Sequence, residues 1–252
     1  MSTPMLDVLA LAAHRDDVEQ TCGGTLLKMA ERGYRTGILD LTQGEMGTRG
    51  TADDRAREAQ DAAHLLKASF RHALDIPDGR VENTWENRIK IARVIREQRP
   101  RVLILPYWKG RHPDHYTASV LGYEATFLAG LKKLGSTPGS RDTGSGAIAE
   151  LAPHRPFKIV YASLYYDVRP TFVVDITDQF ETRFQALMAY RSQYSDQTTG
   201  SGLFPVENEI RMRMESMASF YGLLAGVKYA EPFVQKEVAL VEDLAAIPVQ
   251  SI

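Results

Sequence analysis

Two short apolar runs, VLALA at 8–12 and VLIL at 102–105, constrain this chain more than any other feature. Neither contains a polar residue, and each has strand length rather than helix length. A strand apolar on both faces is buried on both sides, as in a parallel sheet with helices above and below it. Between the runs the pattern alternates. Apolar residues at Val18, Leu26, Leu27 and Ala30 describe a helix stopped by Gly33, 36–41 is a second strand, 53–67 a helix, 69–73 a third strand, and 84–98 a helix ending before Pro100. This predicts an α/β fold: a Rossmann-like parallel β-sheet flanked by helices, with right-handed crossovers. A helix at 115–134, strands at 158–164 and 171–174, helices at 177–190 and 205–224, and a strand or extended arm at 229–234 supply additional C-terminal strands and helices. The Gly-, Ser-, Thr- and Pro-rich stretch from Gly135 predicts a mobile loop, about 135–157, within one domain spanning 1–252.

Composition narrows the classes. With 44% apolar residues in 252 the chain can build a full core, and a formal charge of −2 with scattered basic residues argues against a nucleic-acid or membrane partner. No apolar run approaches the roughly 18 residues of a membrane span. The single cysteine, Cys22, excludes an intramolecular disulfide and a Cys-rich zinc site, and together with a start unlike a secretory leader it points to a cytoplasmic protein. A lone thiol on a helix reads as inert packing. Gly23-Gly24 is no dinucleotide fingerprint, because G-x-G-x-x-G is absent. Met212, Met214 and Met217 read as a helix face rather than as ligands.

Both apolar runs lead into loops dense in polar chemistry. The first is followed by Ala13-His14-Arg15-Asp16-Asp17 and the second by Arg111-His112-Pro113-Asp114-His115. In an open α/β sheet the carboxyl ends of the strands border the ligand crevice, so two segments a hundred residues apart meet at one edge. Three of the six histidines lie in these loops, while His64, His72 and His154 read as surface or packing residues. The plain alternative for the first segment is an Asp capping a helix N-terminus. Catalytic zinc prefers three His or carboxylate ligands with a fourth position open, and His14, Asp17 and His115 would make such a triad. Asp16, beside a ligand, can then accept the proton of the attacking water. His112 can face a developing oxyanion, with Asp114 hydrogen-bonded to that imidazole and favouring its protonated form. Metal-assisted hydrolysis of an amide or ester fits this set.

The pairing of AHRDD after the first strand with RHPDH after the fourth resembles the zinc-dependent N-acetylglucosamine-conjugate deacetylases of the LmbE or PIG-L type. More narrowly, QGEMGTRGT at 43–51, DGRVEN at 78–83, Arg88, Pro106-Tyr107 and YAEPF at 229–233 resemble the bacillithiol-biosynthesis deacetylases. The resemblance implies one divalent metal on His14, Asp17 and His115, Asp16 as general base and His112 as the electrophilic or acid histidine. It also implies a small-molecule N-acetylglucosaminyl conjugate as substrate, in the closest branch N-acetylglucosaminyl malate, and a homo-oligomer, with a hexamer among the forms. A His₂–carboxylate set suits Zn²⁺ and equally Fe²⁺. Mycothiol-like, chitobiose-like or lipid-linked sugars are alternative substrates, and a non-catalytic sugar-binding module is the alternative from another class.

The chain departs from that family at Arg15, where the usual residue is proline. Proline fixes φ and removes an N–H donor, so arginine is expected to loosen the turn or to add a cation near the metal. Arg55 and Glu58 match the family's R-x-x-E, with Arg55 reaching substrate or acidic groups of the pocket; the alternative is an i,i+3 surface ion pair. Glu45 and Arg49 are expected to line the same crevice. Tyr194 is expected to cover the site, or else merely to close a helix end.

Overall fold

The computed structural model describes residues 5–135, 148–164, 166–194 and 205–249. Seven strands form one sheet: β1 (Val8–Ala12), β2 (Thr36–Asp40), β3 (Phe70–Ala73), β4 (Val102–Pro106), β5 (Lys158–Ala162), β6 (Phe172–Asp175) and β7 (Ala230–Val234), in the order β3-β2-β1-β4-β5-β7-β6. The first five are mutually parallel, and β7 enters antiparallel between β5 and β6. The unbroken apolar runs are explained by their side chains. Leu9, Leu11, Leu103 and Leu105 face a core shared with α4 (Trp85–Gln98) and α5 (Pro113–Ala129). Val8, Ala10, Ala12 and Ile104 face the opposite core. That second core is shared with α1 (Asp17–Thr21), α2 (Gly23–Glu31), α3 (Ala52–Leu65) and α6 (Phe180–Met188). Short α7 (Arg191–Tyr194) and long α8 (Glu207–Leu223) complete the α-helices among the described residues, and single 3-10 turns lie at Ile148–Glu150 and Leu244–Ala246.

Strand order reverses at β1, which pairs with β2 on one side and β4 on the other. That reversal opens a crevice at the carboxyl ends of β1 and β4. Both polar segments lie there.

The helix expected from Val18 to Gly33 is two helices, broken at Cys22, whose φ of −140° and ψ of 15° leave the helical region. The break is held by Glu231 of β7. Its Oε1 accepts the Gly24 N–H at 2.9 Å, its Oε2 accepts the Thr25 N–H at 2.7 Å, and Arg183 Nε lies 3.1 Å from Oε1. A carboxylate thus caps α2 from 207 residues away in sequence. Gly24 suits this close approach, since a Cβ there would lie 3.0 Å from Glu231 Oε1 and from Ile176, both of which would have to shift by a few tenths of an ångström. Glu231 is 1% exposed. Glu231→Ala would therefore leave two buried N–H groups without an acceptor and take the carboxylate from beside the Arg183 guanidinium, which keeps only the carbonyls of Glu19 and Gln20, and is expected to cost about 3–5 kcal/mol in urea denaturation. A loss under about 1 kcal/mol, the size of an ordinary exposed cap, would refute this assignment.

Other elements differ at their ends. The helix expected at 115–134 begins earlier, because His112 caps it and Pro113 occupies the first turn, where the missing N–H is no loss. It ends at Gly130, where Arg155 packs so closely that a Cβ would meet its Nε at 2.6 Å. The helix expected at 177–190 is confined to α6. Residues 136–147 of the expected mobile loop lie outside the described residues. The last part of that loop is anchored: Ile148 is fully buried, and Arg96 donates to the carbonyls of Ala129, Leu131, Ile148 and Leu151. Of the three methionines on α8 only Met214 is core; Met212 and Met217 are exposed.

Candidate metal centre and active site

The chain leaves β1 through Ala13, whose carbonyl accepts from Thr42 Oγ1, and turns at Asp16, which has φ 93° and ψ −18°. A left-handed conformation is uncommon outside glycine, and Asp is among the residues that tolerate it. The turn ends β1 and starts α1 within a few residues, leaving His14 and Asp17 together with the His14 N–H on Asp17 Oδ2 at 2.9 Å. After β4, His112 caps α5 by accepting the Asp114 N–H on Nδ1 at 3.2 Å, and His115 sits in the first turn.

The two segments meet. His14 Nδ1 lies 3.1 Å from His115 Nε2, which is 3.2 Å from Asp17 Oδ1, while Asp17 Oδ2 is 3.6 Å from His14 Nδ1. His14's other nitrogen, Nε2, lies 3.0 Å from Asp78 Oδ1 and 3.3 Å from Asp114 Oδ2. Two carboxylates on Nε2 place its proton there and turn Nδ1 towards His115 and Asp17, the usual way an acid orients a ligating imidazole. Donor atoms of His14, Asp78 and Asp114 also converge, as do those of His14, His112 and His115. Asp78 and Asp114 are nevertheless engaged elsewhere: Asp78 Oδ2 accepts the Met46 N–H, and Asp114 accepts the N–H groups of Gly79 and Val81. The expected hydrogen bond from Asp114 to the His112 ring is replaced by this pairing with His14, because the carboxylate points back beneath α5 towards the 78–81 turn.

Charge in the cradle has a consistent sign. Burial alone lowers His14, yet the carboxylates of Asp114, Asp17 and Asp78 outweigh it and push its pKa up to about 12. His115 is raised against the same burial by Asp17, and Asp17, which burial would raise, is held well below the carboxylate range by His115 and His14. The acids therefore retain positive charge between them, and the donor set of two imidazoles and one carboxylate fits a divalent cation in place of those protons. Metal titration at pH 7 is thus expected to release at least one proton per ion, read by the dependence of binding heat on buffer ionisation. Binding without proton release would contradict the protonated cradle.

Around this centre, Asp16 Oδ2 accepts the Tyr194 hydroxyl at 2.6 Å and its Oδ1 lies 3.6 Å from Arg55 Nη2. Burial raises Asp16 to about 6, with the Arg55 charge opposing and Asp17 adding. His112, which is exposed at the crevice, is lowered by desolvation and by the charges of His14 and His115. It is neutral rather than protonated at pH 7, and because Nδ1 accepts the Asp114 N–H, its proton sits on Nε2.

The residues expected at substrate bond to protein groups. Arg55 is buried, donating to the carbonyls of Arg15 (2.7 Å) and Gly44 (3.5 Å). Glu58 does not pair with it but accepts the N–H and hydroxyl of Ser192. Arg49 is buried with Nη1 on the Gln193 carbonyl at 2.8 Å, and Gln193 returns a bond to the Arg49 carbonyl. Glu45 Oε1 accepts the Asp78 N–H at 2.8 Å. Arg15 is 7% exposed and its Nη1 donates to the carbonyls of Ala52 (2.8 Å) and Gln43 (3.2 Å), so it neither loosens the turn nor offers a cation to the crevice. Of the remaining histidines, His64 and His72 are exposed and His154 bonds the Pro100 carbonyl. Asp78 carries a part that residue patterns missed, and Glu58, which they did single out, has Ser192 rather than Arg55 as its partner. Asp78 stands in a Pro-Asp-Gly sequence whose turn signal conceals a carboxylate aimed at His14.

A doubly wound sheet with a two-histidine, one-carboxylate cradle at its strand reversal, and a buried acid beside it, defines a class: α/β enzymes built around a divalent cation for hydrolytic chemistry. Residues 9–126 match the family described as PIG-L: GlcNAc-PI de-N-acetylase. A diacetylchitobiose deacetylase of Thermococcus kodakarensis is 32% identical over 235 residues, covering 89% of this chain and 80% of its own. The solved structure of a conserved protein of Thermus thermophilus superposes with a TM-score of 0.79 at 36% identity, covering 94% of this chain and 98% of that one. A 4-oxalmesaconate hydratase of Pseudomonas putida is 27% identical over 206 residues, 77% of this chain and 76% of its own. The chain belongs to the PIG-L (LmbE-type) family of deacetylases, hydrolases that act on amide C–N bonds.

Proposed function

We propose that this protein is a metal-dependent N-deacetylase of N-acetylglucosaminyl conjugates, acting in the cytoplasm as a homo-oligomer and through a single domain over 1–252. Its most specific candidate substrate is N-acetylglucosaminyl malate of bacillithiol biosynthesis, supported by the motifs at 43–51, 78–83 and 229–233. The observation that carries the reading is the juxtaposition of Asp16, the His14–Asp17–His115 cradle and His112 in one crevice.

His14, Asp17 and His115 would hold one divalent ion, Zn²⁺ or Fe²⁺, which supplies Lewis acidity that polarises a carbonyl and acidifies water. The remaining steps belong to side chains. Asp16 takes a proton from water as its oxygen bonds to the acetyl carbon. The Nε2–H of His112 donates to the oxyanion that forms. As the C–N bond breaks, the proton from Asp16 passes to the leaving nitrogen, giving a free amine and acetic acid, which loses its remaining proton to the amine or to solvent and leaves as acetate. The diacetylchitobiose deacetylase named above supports an N-acetylated sugar, with Asp114 orienting His14 rather than shuttling protons. Glu45, Arg49, Arg55 and Tyr194 act in this scheme through protein groups rather than on the sugar: Glu45 through Asp78, Arg49 through Gln193 of α7, and Arg55 and Tyr194 beside Asp16.

The test is release of primary amine from a panel of N-acetylglucosaminyl conjugates, malate, inositol and chitobiose among them, with metal content measured on the same sample. The malate conjugate is expected to give the highest kcat/KM. Because one relative is named as a hydratase, the panel includes an unsaturated dicarboxylate. Hydration of it, with no amine released from any sugar, would overturn the proposal.

A further inference from the structure

We propose that Arg15 is a positioning residue, a brace that holds loop 43–52 so that both His14 and Asp16 stay in register; the consequence for catalysis rests on the function proposed above. Arg15 sits between the two residues it would serve, yet its side chain turns away from them into the protein. One nitrogen, Nη1, donates to Gln43 O at 3.2 Å and Ala52 O at 2.8 Å, which are the two ends of that loop. Arg55 reinforces the same junction from α3, gripping Arg15's own carbonyl at 2.7 Å and packing on Gly44, where a Cβ would meet Nη1 at 2.4 Å. Gly44, at φ +72°, must therefore be glycine both for its conformation and for its space.

What the loop carries explains why its ends are pinned. Glu45 accepts the Asp78 N–H at 2.8 Å and the Met46 N–H donates to Asp78 Oδ2 at 3.1 Å, which leaves Asp78 Oδ1 aimed at His14 Nε2, 3.0 Å away. That contact fixes the nitrogen His14 presents to a metal. Further along, Arg49 and Gln193 exchange hydrogen bonds at 2.8 and 2.6 Å, docking α7, while Glu58 holds Ser192. The docked helix places the Tyr194 hydroxyl 2.6 Å from Asp16. One guanidinium therefore secures two arms, one ending on a metal ligand and the other on the acid beside it. A proline at position 15 makes neither bond, having no donor at all.

The brace is tested without reference to substrate by Arg15→Met and Arg15→Lys. Because a single nitrogen makes both bonds, a lysine ammonium can take its place, whereas methionine fills the space without donors. Arg15→Met is expected to weaken Zn²⁺ affinity about tenfold, the scale seen when an outer partner of a ligating histidine is lost. It is also expected to speed amide exchange at Met46 and Asp78 at least tenfold; Arg15→Lys restores most of both. In turnover, the methionine variant lowers kcat at saturating Zn²⁺ with KM nearly unchanged. Wild-type Zn²⁺ affinity and wild-type exchange in Arg15→Met overturn the brace, as does equal damage in both variants. If wild-type protein binds Zn²⁺ but frees no amine, the functional proposal fails, and the exchange and affinity readings still decide the role of Arg15.

Discussion

His115→Ala abolishes stoichiometric metal binding and lowers kcat/KM by at least about 10³-fold, the worth of several kcal/mol of Lewis-acid stabilisation. His115 Nε2 is the atom that both other donors approach, at 3.1 Å from His14 Nδ1 and 3.2 Å from Asp17 Oδ1, so its removal leaves donors on one segment only. The helix carrying it is started independently by the His112 cap and Pro113, so the variant is expected to fold. Complete chelation should reproduce the loss in the wild type, and Zn²⁺ or Fe²⁺ should restore the wild type but not the variant. Metal content and amine release are measured on the same samples. Full activity in chelated, metal-free protein would sink the metal-dependent reading. Retained stoichiometric metal in His115→Ala would instead move the site to the other convergent cluster, His14 with Asp78 and Asp114.

The parts of this site that the sequence exposes are those whose chemistry follows a buried strand directly. His14 and Asp17 trail β1, His115 trails β4, and parallel pairing of Val8 with Val102 and Ala10 with Ile104 brings their ends level. Local pattern is enough there because strand direction carries the loops to one edge. Asp78 illustrates what pattern leaves hidden: it follows β3, at the far side of the sheet order, and reaches His14 only through a turn whose direction depends on Glu45 and Met46. Glu231 is the same case in the fold, since neither the helix break at Cys22 nor its cap is visible from residues on either side. Arg15 departs from its expectation for a different reason. Its place between ligand and base suggests a cation in the crevice, but a long side chain beside a left-handed residue is free to leave the crevice, and here two carbonyls draw it inward. The antiparallel insertion of β7 between β5 and β6 is likewise a long-range pairing that a short apolar stretch does not announce.

Asp16→Asn lowers kcat by about 10²–10⁴-fold, the usual range for a general base, while metal stoichiometry stays at the wild-type level. The substitution isolates the proton-accepting role. Asn has the same size, it tolerates the left-handed backbone that Asp16 adopts at φ 93°, and its carbonyl oxygen can still accept the Tyr194 hydroxyl. What is lost is basicity. Burial, partly offset by Arg55, raises Asp16 to about 6 in the metal-free protein. The carboxyl therefore holds its proton up to that pH and works as a base only above it, so activity rises with pH and levels off. A bound cation favours the carboxylate and moves this limb lower, which places the acidic limb of kcat/KM at or below about pH 6. Residual activity in Asp16→Asn should lack that limb. Tyr194→Phe removes a hydrogen bond that lowers the Asp16 pKa and is expected to shift the limb upward without erasing it. Binding isotherms for a conjugate that is not hydrolysed should be unchanged in Asp16→Asn. A module that only binds the sugar would show no turnover in either protein. Wild-type turnover in Asp16→Asn would transfer the proton to another group, and the exposed neutral imidazole of His112 is the one left facing the crevice.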